Sequence, residues 1–314
     1  MQFRKVLSSD EQTIIDFFNE LDDTVSSHEI KRRLFIKQFD CDENFHGILI
    51  EDKGKVIAYL GLIFSERTFE NQIYKFCNLT SFLIDPAYRG QKLTHKIIDE
   101  VLKLGDYTIT AITPIPSLYG MYEGKGLKKL DDYRSVFWKF KGSSTLNDWK
   151  IISSESEIKK RLDEKNLKIY SDHQRFSCQT SVFSNGIETL LIIGKEISAQ
   201  KRRYIAGRYI NYLDFVSRKI INYSFLNKTV ICHELAYCSN YQVFFDDFKF
   251  LAPAVFQAYG ADGIIIRQDV LDLLPLKNYK HSIFWKARQL YFSNHLSPKQ
   301  YDTLYSEIFV LDLN

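Results

Sequence analysis

The stretch Asn78–Glu100, NLTSFLIDPAYRGQKLTHKIIDE, constrains this chain most, because it joins a strand, a turn and a helix without interruption. Leu79–Ile84 is apolar and rich in strand formers, with Thr80 and Ser81 inside it. Proline has no N–H to give to a ladder, so Asp85-Pro86 stops the strand and Tyr88-Arg89-Gly90-Gln91 turns the chain. The apolar stripe of Leu93, Ile97, Ile98, Val101, Leu102 and Leu104 then predicts a helix, with Gly105 as its C-cap. A helix start leaves N–H groups unpaired, and beside Arg89 and Lys92 such a start suits an anion of pyrophosphate size.

This segment resembles the strand-to-helix region of the GNAT superfamily of acyl-CoA-dependent N-acetyltransferases, whose turn reads R/Q-x-x-G-x-G/A. Here the turn is Arg89-Gly90-Gln91-Lys92-Leu93-Thr94, so the arginine is in place and the two small-residue positions hold Lys92 and Thr94. The resemblance implies that backbone groups of Phe82, Leu83 and Ile84 receive the acyl arm of acetyl-CoA. It implies likewise that Arg89, Gly90, Gln91, Lys92, Leu93 and Thr94 bind its pyrophosphate. Further on, Tyr107–Thr113 alternates as a strand, and Tyr122-Glu123-Gly124-Lys125-Gly126-Leu127 resembles the family's Y-E-K-x-G-F ending. By that resemblance Tyr122 protonates the departing thiolate, with Tyr119, one turn earlier, as the alternative. Pro114-Ile115-Pro116-Ser117 replaces the Asn and Ala that many members carry. No general base is assigned: Glu70 is the one carboxylate between Thr68 and Ile84, and Asn78, Thr80 and Ser81 either relay a proton through water or are ordinary strand polarity.

At 314 residues the chain is long for one core. Gln2–Leu7 reads as a strand, followed by a helix carrying Ile14, Ile15, Phe17, Phe18 and Leu21, and by a second helix over Ser27–Phe39. Gly47–Glu51 and Val56–Phe64 read as a hairpin turned at Asp52-Lys53-Gly54-Lys55, and Tyr133–Phe140 as a closing strand before a polar linker, Lys141–Asn147. Beyond the linker the pattern restarts. Lys150–Glu155 matches Lys5–Asp10, and Ser282-Ile283-Phe284-Trp285-Lys286 matches Ser135-Val136-Phe137-Trp138-Lys139, at offsets of 145 and 147 residues. Two tags at nearly one spacing predict tandem units, 1–142 with the acyl-CoA site and 148–314 without one. Within the second, Thr189–Ile193, Thr229–Tyr237 and Gly263–Arg267 read as strands, Phe248–Tyr259 as a helix ended by Gly260, and Tyr305–Leu313 as a last strand. The expected fold is therefore α/β with a mixed sheet: an acyl-CoA N-acyltransferase fold in two tandem copies, the second degenerate.

With 42 basic and 39 acidic residues the net charge is +3, which argues for no nucleic-acid partner. The local cluster Lys201-Arg202-Arg203, with Arg208, Arg218 and Lys219, reads as solvated surface, its alternative being an RNA contact. Five scattered cysteines fit reduced thiols in the cytoplasm, and Cys232-His233 with Cys238 lacks the second pair a metal site needs. The start, MQFRKVLSSDEQ, has no apolar core of a signal peptide, and no apolar run reaches the roughly eighteen residues of a membrane span. These readings predict transfer of acetyl from acetyl-CoA to a small amine (amino sugar, polyamine or amino acid), in a chain that is a candidate homodimer. The alternative is a non-catalytic acyl-CoA-binding or interaction protein.

Overall fold

The computed structural model describes residues 1–21, 28–69, 72–140, 149–197, 204–205, 208–209, 231–272, 282–297 and 301–311. The chain runs through β1 (Gln2–Val6), α1 (Glu11–Glu20), α2 (His28–Arg32), β2 (Gly47–Asp52), β3 (Lys55–Phe69), β4 (Gln72–Ile84), α3 (Leu93–Leu102), β5 (Tyr107–Ala111), α4 (Tyr119–Gly124) and β6 (Lys128–Trp138). It continues through β7 (Lys150–Ile152), α5 (Glu155–Arg161), α6 (Glu164–His173), β8 (Gln179–Ser184), β9 (Thr189–Ile197), β10 (Cys232–Cys238), α7 (Tyr241–Asp246), α8 (Phe248–Tyr259), β11 (Gly263–Arg267), α9 (Gln268–Leu271), β12 (Ser282–Phe292) and α10 (Glu307–Val310).

Two compact units divide these elements. Met1–Asp132 with Ala287–Leu313 form the first, and Tyr133–Lys286 the second. The division departs from the expected 1–142 and 148–314, because the first unit takes its last strand and α10 from the far end of the chain. The expected linker, and the basic cluster apart from the backbone of Arg208, lie outside the described residues.

In the first unit the strand order is β1-β2-β3-β4-β5-β12, and in the second it is β7-β8-β9-β10-β11-β6. Position for position the two orders correspond. The fourth and fifth strands of each are parallel, β4 with β5 and β10 with β11, while the neighbouring pairs are antiparallel. A parallel neighbour requires a crossover, which α3 supplies in the first unit and α7 and α8 in the second. The repeated sequence tags fall on corresponding elements: Lys5 and Lys150 in edge strands, Ser135 and Ser282 in sixth strands. The sixth strand of each unit comes from the other half of the sequence, since residues 134–138 of β6 pair with β11 and residues 290–292 of β12 pair with β5.

The core of the first unit lies where Leu93, Ile97, Ile98 and Val101 of α3 meet Ile50, Leu60, Leu79 and Ile109 of the sheet. Burying one such aliphatic side chain contributes about 1.5–3 kcal/mol, so the apolar stripe sets how α3 sits on its sheet. The β2–β3 turn follows its sequence: Lys53 and Gly54 both have left-handed φ, +50° and +78°, as a tight hairpin demands. Several expected elements change. The helix over Ser27–Phe39 is described from His28 and ends at Phe35, where Ile36 becomes extended and Phe39 turns in to stack edge-on against Tyr305 at 4.7 Å. β3 and β4 are longer than the alternation indicates, reaching Phe69 and starting at Gln72. Gly105 is not a left-handed C-cap, since α3 ends at Lys103 in right-handed backbone. Gly260, at φ +60°, does cap α8 as expected. Of the expected strand Tyr305–Leu313, residues 312–313 lie outside the described residues and the rest is not a strand: Leu304, Tyr305, Phe309, Val310 and Leu311 all bury around the single turn of α10.

Candidate functional site

The site begins with an irregularity in β4. Its parallel pairing with β5 runs from Lys75 opposite Tyr107 to Asn78 opposite Thr110 and stops there. On its other edge the register against β3 slips, with Leu83 opposite Tyr59 but Thr80 opposite Gly61, so Ser81 and Phe82 share the place of one residue. This is a β-bulge, and Ser81 has φ +46°, a conformation that costs a side chain of this kind on the order of 1–3 kcal/mol. Strand separation past Asn78 together with the bulge opens a cavity of about 240 Å³. Its walls are residues 80–83 of β4, Thr113, Pro114 and Ile115 beyond β5, Leu118 and Tyr122 around α4, and Leu311 after α10.

Of the residues expected to hold acetyl-CoA, Phe82 and Leu83 line this cavity, whereas Ile84 packs against the core. Arg89, Gly90, Gln91 and Lys92 are exposed at the start of α3, Thr94 is half-buried, and none of these borders the cavity. Leu93 buries its side chain in the core, which leaves its backbone to face the turn. Lys92 occupies the N-cap of α3 with left-handed backbone, φ +57° and ψ 26°. The small residue usual at this place in the turn therefore has a backbone reason, and a lysine there costs roughly 1–2 kcal/mol. Gly90, at φ +81°, stands in open space, so its requirement is also one of φ.

Tyr122 borders the cavity and Tyr119 does not. The Tyr122 hydroxyl has no hydrogen-bond partner among the described residues, and burial, reinforced by the negative charge of Glu307, pushes its pKa up, so it holds its proton through the neutral range. Glu307 carried no motif and its role was not legible in the sequence. It is 1% exposed. Its Oε1 accepts from the Thr113 N–H at 2.9 Å and from the Thr113 hydroxyl at 2.6 Å, and its own N–H donates to Asn78 Oδ1 at 3.1 Å. Asn78 Nδ2 donates in turn to Thr110 Oγ1 at 3.0 Å. Burial raises the Glu307 pKa to about 7. Asn78 is thus committed on both ends of its amide, which removes it from a water relay, while Thr80 and Ser81 stay at the cavity with hydroxyls 3.3 Å apart. The two buried polar strand residues, Asn78 and Thr110, were the sequence signal that some polar partner had to reach them. Glu70 lies outside the described residues.

Among the described residues no group of His, Cys, Asp and Glu could hold a metal ion, and all five cysteines are free. No described helix is long and apolar enough to cross a membrane.

Residues 13–107 match the model of the acetyltransferase (GNAT) family. No curated protein matches the chain. Among solved structures, a probable N-acyltransferase of Enterococcus faecalis V583 is 12% identical with a TM-score of 0.53, covering 92% of this chain and 71% of that one. A GCN5-related N-acetyltransferase of Anabaena variabilis ATCC 29413 is 10% identical with a TM-score of 0.54, covering 92% and 72%. At such identities the similarity concerns the fold. The matched residues 13–107 carry the bulged β4, the turn at Arg89 and α3, and over this segment the chain is similar to the acetyltransferase (GNAT) family.

Proposed function

We propose that the first unit transfers an acetyl group from acetyl-CoA to the amine of a small acceptor such as an amino sugar, polyamine or amino acid. The observation that carries this reading is the cavity opened by the β4 bulge, with Phe82 and Leu83, within the segment similar to the family, on one wall and Tyr122 on another. The residues fit the donor: β4 is spread from β5 where an acyl arm would lie, and the exposed turn at the start of α3 offers backbone N–H groups beside Arg89 and Lys92. Acetyl-CoA would supply the activated acetyl thioester. Phe82 and Leu83 would flank it with backbone groups, and Arg89 through Thr94 would hold its phosphates. Leu60, Leu79, Leu118 and Leu311 make the walls largely apolar, which would strengthen each polar contact once a bound donor covers them. Tyr122, protonated and without a hydrogen-bond partner among the described residues, is suited to give a proton to a leaving thiolate. The second unit, of corresponding strand order, is read as a copy without its own donor site, and the free thiols fit the reducing cytoplasm.

The test is calorimetry of the full chain with acetyl-CoA, followed by thiol release with glucosamine, spermidine and lysine as acceptors. Binding with amine-dependent thiol release is expected. Binding without release from any amine favours a non-catalytic acyl-CoA-binding protein, and absence of binding contradicts both readings.

A further inference from the structure

Glu307 presents a problem that packing does not solve. One carboxyl oxygen is held by two donors of Thr113, yet the other, Oε2, is buried with no hydrogen-bond partner among the described residues. A buried carboxyl with half its capacity unmet is costly, and an apolar side chain of similar size would avoid the cost. Its position is nevertheless fixed with care, by the backbone bond to Asn78, by Asn78 on Thr110, and by a short contact with the Thr113 hydroxyl. Thr113 also borders the cavity that Tyr122 borders. One residue therefore touches both the open space and the buried acid.

We propose that Thr113 and Glu307 form a proton relay that takes the ammonium proton from the acceptor amine. This inference rests on the acetyltransferase reading above. The Thr113 Oγ1 receives a proton from the ammonium while its own proton passes to Glu307 Oε1. One N–H bond breaks and one O–H bond forms at Thr113; the original Thr113 O–H bond breaks and one O–H bond forms at Glu307. The ammonium loses its positive charge as the carboxylate loses its negative one, so the buried charge is cancelled. Thr113 is the member that meets the acceptor, and Glu307 acts through it.

The surroundings suit a group that changes charge near neutrality. Burial is the main influence on Glu307, opposed by its bonds to Thr113 and Asn78. From α4 the titratable neighbour is Tyr122, and β4 and β5 present the uncharged Asn78 and Thr110. Among the described residues the Arg33 guanidinium reaches the Val310 carbonyl at the other end of α10, and Arg67 is paired with Asp302. A relay of this kind serves aliphatic amines, which are protonated at neutral pH, and gives arylamines nothing.

The experiment uses the full chain in two arms. Infrared difference spectra between pH 5 and pH 9, without any acceptor, should show a protonated carboxyl band that disappears near neutral pH and is absent from Glu307→Gln. Thiol release from acetyl-CoA with spermidine or glucosamine should fall about 10²- to 10⁴-fold in kcat/KM for Glu307→Gln and for Thr113→Val, with loss of the acidic limb of the pH profile, while Thr113→Ser stays within a few-fold of wild type. Thermal melts of each variant confirm folding. A carboxyl band lost at the ordinary glutamate pH, or Glu307→Gln with an unchanged rate and pH profile, overturns the relay. Loss in Glu307→Gln with none in Thr113→Val overturns the part given to Thr113. A wild-type chain that binds no acetyl-CoA overturns the acetyltransferase reading instead, and the infrared arm, which needs no acceptor, tells the two failures apart.

Discussion

Tyr122 and Tyr119 show what a single position can and cannot disclose. Both lie on α4, and spacing alone left them as alternatives; burial against the cavity separates them, because only Tyr122 borders it. Tyr122→Phe keeps the ring and removes the hydroxyl, so kcat should fall about 10²- to 10⁴-fold with acetyl-CoA affinity little changed, while Tyr119→Phe stays close to wild type; steady-state kinetics with calorimetry decide it. Glu307 gives a second prediction. Its folded pKa of about 7 lies above the ordinary 4.5, so the folded state binds this proton more tightly than the unfolded chain. Its contribution to stability is then most favourable below about pH 4.5 and declines as pH rises to about 7, by about 3 kcal/mol. Urea titrations should show Glu307→Gln gaining on wild type as pH rises through that window; a constant difference would refute the shift. Nothing in the sequence near 307 marks this residue, because its meaning depends on Thr113 and Asn78, about two hundred residues away.

At the scale of elements, β4, its turn and α3 were readable because three short-range signals agree: strand formers before Asp85, proline at 86, and the stripe from Leu93 to Val101. The bulge was not readable. It arises from how β4 meets β3, and Ser81 is an ordinary strand residue until the register slip forces its φ positive. Lys92 shows the same limit, since its left-handed backbone follows from the turn geometry and not from lysine's own preference. Lys92→Gly should therefore raise stability by about 1 kcal/mol while weakening acetyl-CoA binding through loss of a cation. Denaturant midpoints and calorimetry measure the two effects separately. The last segment was misread as a strand because its apolar residues are dense enough to suit either an edge strand or one buried turn, and tertiary burial chose the turn.

At the scale of the molecule, the repeated tags at Lys5 and Lys150 and at Ser135 and Ser282 identified corresponding elements, and the two strand orders agree with them. The tags could not disclose that the sixth strands are exchanged, because a tag fixes which strand recurs and not which partner it pairs with. The exchange means that a fragment ending at residue 142 lacks β12 and α10, and with them Leu290, Glu307 and Leu311 of the first unit. Such a fragment should show no cooperative melt by circular dichroism, and a fragment that melts as the full chain does would argue against the observed division. The central claim is one acetyl-CoA site, in the first unit, built on the bulged β4 and the turn at Arg89. Titration calorimetry of the full chain with acetyl-CoA tests it most directly: one site per chain is predicted, severely weakened by Arg89→Glu and retained in Tyr122→Phe, whereas two sites per chain, no binding, or binding indifferent to Arg89→Glu would contradict it.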